Sequence, residues 1–246
     1  MSERIALVIG GNGGIGNAVV KRLNNDGLQV CTTFYNNDQQ IKALQNRLGE
    51  DAIVSYKCNA VDQIEVKNTV DQIIQKFEKI DVVVITIASP IKNAQLLETS
   101  WEEFNRYFEE QVKSIFNVTK ALRQQIRSKI PTRFILLSTE YCIGKPPKGL
   151  SHYVTAKYAA MGLSKVLALE LAQFGSTVNM ISPGMVETSL LDNLPPKLVE
   201  MVAWENPLKR NATPGDVANA VSFLASEGSN YLNGINIMVN GGNVIS

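Results

Sequence analysis

The sequence predicts an α/β fold of the doubly wound kind, a parallel sheet with helices on both faces, in a single domain over residues 1–246. Three observations carry the prediction. Short β-rich runs alternate with helical patterns from end to end, a glycine-rich turn joins the first run to the first helix, and residues 81–87 are continuously apolar and β-branched, as a strand covered on both faces must be.

Taken in order, residues 4–9 form an apolar strand that ends in glycines. Ile15, Ala18, Val19 and Leu23 then share one face of a helix over 15–25. Residues 29–34 read as a second strand, 38–48 as a polar helix and 52–58 as a third strand. Val70, Ile73, Ile74 and Phe77 mark the next helix by their spacing, and 81–87 is the fourth strand. A long helix comes next over about 101–127 with Trp101 anchoring its start, then a strand at 133–138 and a helix within the apolar stretch 151–174. Two more strands fall at 177–181 and 235–239. Between them Thr213 as N-cap, Pro214 at the first helical position and Asp216 three residues after the cap open a helix.

The chain has 246 residues, 45% of them hydrophobic, and a formal charge of +1, enough for one large core and without the basic run that nucleic acid requires. No stretch reaches the ~18 apolar residues of a membrane span. The first residues lead straight into a strand, which leaves no room for a signal peptide. Cys31, Cys58 and Cys142 are odd in number and scattered, so they read as reduced thiols of a cytoplasmic protein. With His152 as the one histidine, no metal site is expected. The long irregular region 185–209 contains Leu190, Leu191, Leu194, Met201 and Trp204, and Pro195-Pro196 can start a short helix there. It reads either as a surface insertion or as an apolar flap that closes over substrate and excludes water.

Two constellations point to chemistry. Gly10, Gly11, Asn12, Gly13, Gly14, Ile15 and Gly16 close the first strand and open the first helix, where a tight backbone and a helix N-terminus can hold a pyrophosphate. Tyr153 and Lys157 lie four residues apart, one turn along a helix face. A phenol of pKa about 10 is a poor proton donor to a carbonyl, and a fixed cation beside it favours the phenolate. His152, about 100° away around the helix, points off that face.

Glycines at 10, 14 and 16 with Tyr153 and Lys157 resemble the TGxxxGxG and YxxxK patterns of the short-chain dehydrogenase/reductase family, built on a Rossmann-type sheet. The resemblance runs on through 179–188, 206–210, 216–226 and 239–242, covers essentially the whole chain, and is nearest to 3-oxoacyl-carrier-protein reductases. It implies hydride transfer between a nicotinamide and a carbonyl or secondary alcohol. Tyr153 would be the general acid or base, and Lys157 would hold the nicotinamide ribose and depress the tyrosine pKa. Val186 and Thr188 would meet the carboxamide, with Pro183 and Gly184 shaping the turn. A hydroxyl at the end of the fifth strand would bind the substrate carbonyl: strand register selects Thr139, with Ser138 the fallback.

Against that pattern the N-terminal half departs repeatedly. Ile9 replaces a threonine, Asn59 (followed by Ala60) stands where an acid meets adenine, and 85–88 replaces NNAG with only Ala88 keeping a small side chain. Gln111 stands for the relay asparagine. At the end of the second strand, Phe34, Tyr35 and Asn36 supply neither the acid of NAD enzymes nor the usual arginines, which leans the expectation to NADP without excluding NAD. The expected function is an NADP-dependent ketoreductase acting on a small or carrier-bound carbonyl substrate, 3-oxoacyl or polyketide-like, as a homotetramer or dimer. Two alternatives stand beside it: a non-redox dehydratase, cyclase or isomerase using Tyr153 as acid/base, and an inactive nucleotide-binding subunit.

Overall fold

The computed structural model describes residues 4–49, 51–192 and 194–245. Met1–Glu3, on which the reading of the N-terminus partly rests, lie outside them. Seven strands form one parallel sheet: β1 (Ile5–Ile9), β2 (Gln29–Phe34), β3 (Ile53–Lys57), β4 (Val82–Ile85), β5 (Arg133–Leu137), β6 (Thr177–Pro183) and β7 (Asn236–Val239). Their order is β3-β2-β1-β4-β5-β6-β7, so the chain reverses its direction of travel between β1 and β4. Ligands in such sheets bind at the carboxyl ends of the strands beside that reversal. The first glycine turn and the 85–88 segment both lie there.

Strand alternation sorts the core into two layers, one on each face of the sheet. Ile5, Leu7 and Ile9 of β1 and Val83 and Ile85 of β4 face one side; Ala6, Val8, Val82 and Val84 face the other. The first layer is closed by α3 (Gln63–Phe77), α5 (Ser114–Ala121) and α7 (Ser151–Ala172), through Val70, Ile73, Val118 and Leu171. The second is closed by α1 (Gly14–Asn25), α2 (Gln39–Leu48) and α9 (Pro214–Ala225), through Val19, Leu23, Ile41 and Val221. α9 opens with the capping box expected at Thr213: its side chain accepts from the Asp216 N–H and the Asp216 carboxylate accepts from the Thr213 N–H.

The helix expected over 101–127 is not continuous. It runs as α4 (Trp101–Phe108), a π-helical stretch (Glu109–Lys113), α5, and, after Leu122, α6 (Arg123–Arg127). A π turn inserts one residue and rotates the downstream helix relative to the upstream one, a feature that recurs at functional sites. Its central residue is Gln111. Trp101 is corrected too: it is 70% exposed and stacks on Phe104 at 5.7 Å, so it caps no core. The first, third, fourth, fifth and seventh strands are each one to three residues shorter than expected, and the sixth runs on to Pro183. In the irregular region, Pro195 caps and Pro196 starts α8 (Pro196–Glu205).

Candidate active site

The glycine turn is as tight as it can be. Gly10 adopts φ 89°, its N–H donates to Thr33 Oγ1 (3.1 Å), and its carbonyl accepts from Gly13 N (3.2 Å) and Thr86 Oγ1 (3.2 Å). A Cβ at Gly16 would stand 2.2 Å from the Gly10 carbonyl oxygen, so no side chain fits where α1 meets the turn. α1 begins at Gly13 with no side-chain cap, which leaves its first N–H groups available to an anion. Thr33 and Thr86 were not singled out by sequence reasoning. Both are hydroxyls at strand carboxyl ends, and Thr86 fastens the turn with one hydroxyl at the departed NNAG position.

Beside the turn lies a cavity of about 540 Å³, bounded by Gly10, Tyr35, Asn36, Asn59, Ala60 and Ala88 among others. The site residues expected around an adenosine thus come together. Two of the polar residues use their side-chain acceptor locally: Asn12 Oδ1 accepts from Gln40 N (3.1 Å) and Asn59 Oδ1 from Val61 N (3.2 Å). Ala60 contributes its carbonyl to Asn117 Nδ2 (3.0 Å), and Ile15 packs on the second core layer. Slot, tight turn and uncapped helix fit a dinucleotide.

At the other end of the cleft, α7 brings Tyr153 and Lys157 against the end of β5. Lys157 Nζ lies 5.8 Å from the Tyr153 ring centroid and donates to the Leu137 carbonyl (2.6 Å). Burial lowers the ammonium pKa to about 8. Because this is below its free value of 10.5, the cost of burying the cation is full below pH 8 and is relieved as pH rises between the two. Burial also pushes the Tyr153 phenol well above its usual range, and the Thr139 hydroxyl beside it opposes the rise. Desolvation dominates the phenol, and Lys157 is not among the groups that shift it.

The structure sets the two candidate hydroxyls apart. Thr139 lies beside the phenol and caps a short turn through Tyr141 N (3.4 Å), whereas Ser138 Oγ is buried without a partner. Gln111, carried by the π turn, donates from Nε2 to the Ile87 carbonyl (3.0 Å), which ties α4–α5 to the segment after β4. His152 points away from the cleft, fully buried with its ring 4.5 Å from that of Tyr107.

Residues 183–188 run from the end of β6 to the glycine turn. Pro183 ends β6, Gly184 N donates to Val239 O (3.1 Å), and the buried Val186 bridges to Ala212, pinning the base of the irregular region. The Thr188 methyl sits over Gly14, 2.7 Å from where a Cβ would be, so the start of that region touches the glycine turn. α8 keeps no residue buried, and Trp204 is 73% exposed. Among the described residues no helix is long and apolar enough to cross a membrane, and no cluster of metal-ligating side chains occurs.

A dinucleotide slot at a topological switch, with a phenol, a hydroxyl and an ammonium at its far end, defines a nicotinamide-dependent oxidoreductase class. The family model described as enoyl-(acyl carrier protein) reductase matches residues 10–243. The chain is also similar to the 3-oxoacyl-[acyl-carrier-protein] reductase FabG of Staphylococcus aureus (strain Mu50), 31% identical over 240 residues and 96% of both chains. That of Rickettsia bellii is 31% identical over 242 residues, 98% of this chain and 97% of the relative. A solved structure of ElxO with NADP bound shares the fold with a TM-score of 0.89 at 24% identity, covering 98% of each chain. The chain belongs to the short-chain dehydrogenase/reductase family and is an NAD(P)-dependent enzyme of that family.

Proposed function

We propose that this enzyme is an NADPH-dependent ketoreductase of 3-oxoacyl thioesters held on a carrier protein or a coenzyme. It works in the cytoplasm as one domain and as a homotetramer or dimer. The relatives named above are reductases of such substrates, and ElxO carries NADP in its solved structure. The observation that carries the reading is the grouping of Tyr153, Lys157 and Thr139 at the end of β5, with Lys157 Nζ 5.8 Å from the Tyr153 ring and fixed on the Leu137 carbonyl (2.6 Å).

The nicotinamide supplies hydride when bound. The protein positions and protonates. Thr139 and Tyr153 donate hydrogen bonds to the ketone oxygen, polarising the carbonyl, and Tyr153 releases its proton as charge develops on that oxygen. Burial keeps the phenol protonated but makes it a weaker acid, so the step relies on Lys157 to stabilise the phenolate as it forms. Lys157, fixed on the Leu137 carbonyl, is placed to hold the nicotinamide ribose and to stabilise the phenolate once the proton has left. Gly10, Gly13, Gly14 and Gly16 with the α1 N-terminus would hold the pyrophosphate. Tyr35, Asn36, Asn59, Ala60 and Ala88 would wall the adenosine, and Pro183, Gly184, Val186 and Thr188 would meet the carboxamide. Gln111 holds the π turn on Ile87 and thereby the floor behind Lys157.

Purified protein given NADPH and a panel of 3-oxoacyl thioesters and diketones should oxidise NADPH in proportion to 3-hydroxy product. Tight NADPH binding with no turnover on any ketone would overturn the assignment.

A further inference from the structure

We propose that Glu140 is a positioning residue, the anchor of a hydrogen-bonded clasp by which the C-terminal turn and the exit of α8 hold Thr139 in place; this rests on the reductase reading above. Glu140 follows Thr139 directly and is only 3% exposed. Its Oε2 accepts from Asn240 Nδ2 (3.2 Å) and its Oε1 from Asn243 Nδ2 (3.0 Å). No ion pair among the described residues involves it. A buried carboxylate without a cation is costly, and an amide of the same shape would cost less to bury. What the carboxylate alone offers is two accepting oxygens with no donor, which lets two amides approach from different sides. A glutamine would turn an N–H toward one of them.

The clasp spans the carboxyl ends of three neighbouring strands. After β5 it holds 139–144, where a Cβ at Gly144 would stand 2.5 Å from the Val244 methyl. After β6 it abuts Gly184, where a Cβ would stand 3.3 Å from Glu140 Oε1 and 3.2 Å from Asn240 Cβ. After β7, Asn240 also donates to the Val244 carbonyl (2.9 Å) and accepts from Gly242 N (3.1 Å). From there Asn206 Nδ2 donates to the Asn240 carbonyl (2.8 Å), and Asn206 Oδ1 accepts from Leu208 N (2.9 Å), at the residue that caps α8. The end of the flap helix is thus two hydrogen-bonded residues from Glu140. A cavity of about 230 Å³ bounded by Glu140, Met185, Asn206 and Asn240 lies behind this chain.

The titratable groups around Glu140 are few. Tyr141 follows it, with a phenol raised first by burial and then by the Glu140 charge. Arg210 and Asp216 share the cavity and pair with each other (2.6 Å). Tyr153 and Lys157 lie beyond Thr139. Burial raises the Glu140 carboxyl, and its two asparagines oppose the rise. The clasp is therefore complete above that raised pKa and loosens as pH falls through it.

The test uses the full-length chain, an acetoacetyl thioester and NADPH. In E140Q we expect kcat to fall about tenfold through misplacement of Thr139. NADPH affinity, read by nucleotide fluorescence, should stay within about twofold, and the acid limb of the wild-type kcat profile should disappear. Exchanging donor and acceptor, E140Q with N243D, should recover most of the lost kcat. Hydrogen exchange gives a readout independent of turnover: in E140A the amides of 140–144 and 240–245 should both exchange faster, with α3 unchanged. Wild-type kcat and an intact acid limb in E140Q, or unchanged exchange in E140A, would overturn the clasp. Coupled exchange in a protein that oxidises no NADPH would leave the clasp standing and sink only the reductase reading.

Discussion

The two halves of the molecule use the same fold but bind by different means. From β5 to β7, function is placed on side chains: Thr139, Tyr153 and Lys157 each present one named atom, and each sits at a defined step of a strand or helix. From β1 to β4, function is placed on backbone and on empty space: the Gly10–Gly16 turn, the uncapped start of α1, and the open slot beside them. A site made of side chains tolerates only changes that keep the reacting group, as Thr139 keeps a hydroxyl and Gln111 an amide. A site made of backbone tolerates many, provided the turn closes. The departures at Ile9, Asn59, Ile85, Thr86 and Ile87 all fall in the second kind of site. There, Thr86 shows how a different residue keeps the same turn closed, with its hydroxyl donating to the carbonyls of Ile9 (2.9 Å) and Gly10 (3.2 Å).

The sharpest way to separate the halves is Tyr153→Phe. It removes the proton donor and leaves the cleft unchanged, so turnover should drop by about 10³-fold while NADPH affinity is retained. Steady-state rates and fluorescence titration of the same preparation would check this. A variant that keeps most of its activity would place the acid elsewhere. The converse is Gly16→Val, which drives a side chain into the Gly10 carbonyl and must open the turn. NADPH affinity should fall about 100-fold, whereas the Tyr153–Thr139 geometry, which lies across the sheet, is not touched. Calorimetric titration reads that loss directly.

The same contrast explains how much could be read from the chain. The succession of strands and helices along the chain, the helix faces and the Tyr153–Lys157 pair follow from periodicities of two and 3.6, and these survive any change of surface residue. The placement of Thr139, not Ser138, beside the phenol was legible too, because a strand's register leaves only one of two neighbours facing the cleft. The π turn at 109–113 was not legible. It adds one residue to a helix whose apolar spacing is otherwise normal, and only the docking of Gln111 on Ile87 reveals it. Nor was the burial of Tyr153: a four-residue spacing announces a cation, whereas the desolvation that raises the phenol depends on how the folded chain packs round it. Glu140 escaped for the same reason, since Asn240 and Asn243 are about a hundred residues away.

A smaller effect tests register inside the side-chain half. Thr139→Ala should cost about 10- to 100-fold in kcat, as loss of one hydrogen-bond donor to a developing oxyanion does. Ser138→Ala should change kcat by less than about twofold, because its buried hydroxyl has only the weakly bonding Cys142 thiol beside it. Equal losses in the two variants would show that either hydroxyl can reach the ketone, and the strand argument would fail.

The smallest expected effect probes the backbone half, at the end of β2. Tyr35 is 55% exposed at the rim of the slot, and neither it nor Asn36 carries charge, so the 2′ position of the adenosine meets no cation from that rim. Elsewhere the slot is lined by both signs of charge, Arg106 with Glu109 and Glu110, so any preference for NADPH over NADH should be modest. Tyr35→Arg supplies a charge-assisted hydrogen bond to a 2′-phosphate and nothing to a 2′-hydroxyl. NADPH affinity should rise about tenfold, NADH affinity should hold, and the gain should shrink as salt is raised. Parallel titrations with both nucleotides at low and high ionic strength decide it. An equal gain for both nucleotides would mean that residue 35 faces the pyrophosphate instead, and the adenosine would have to be placed further along the slot toward Asn59 and Ala60.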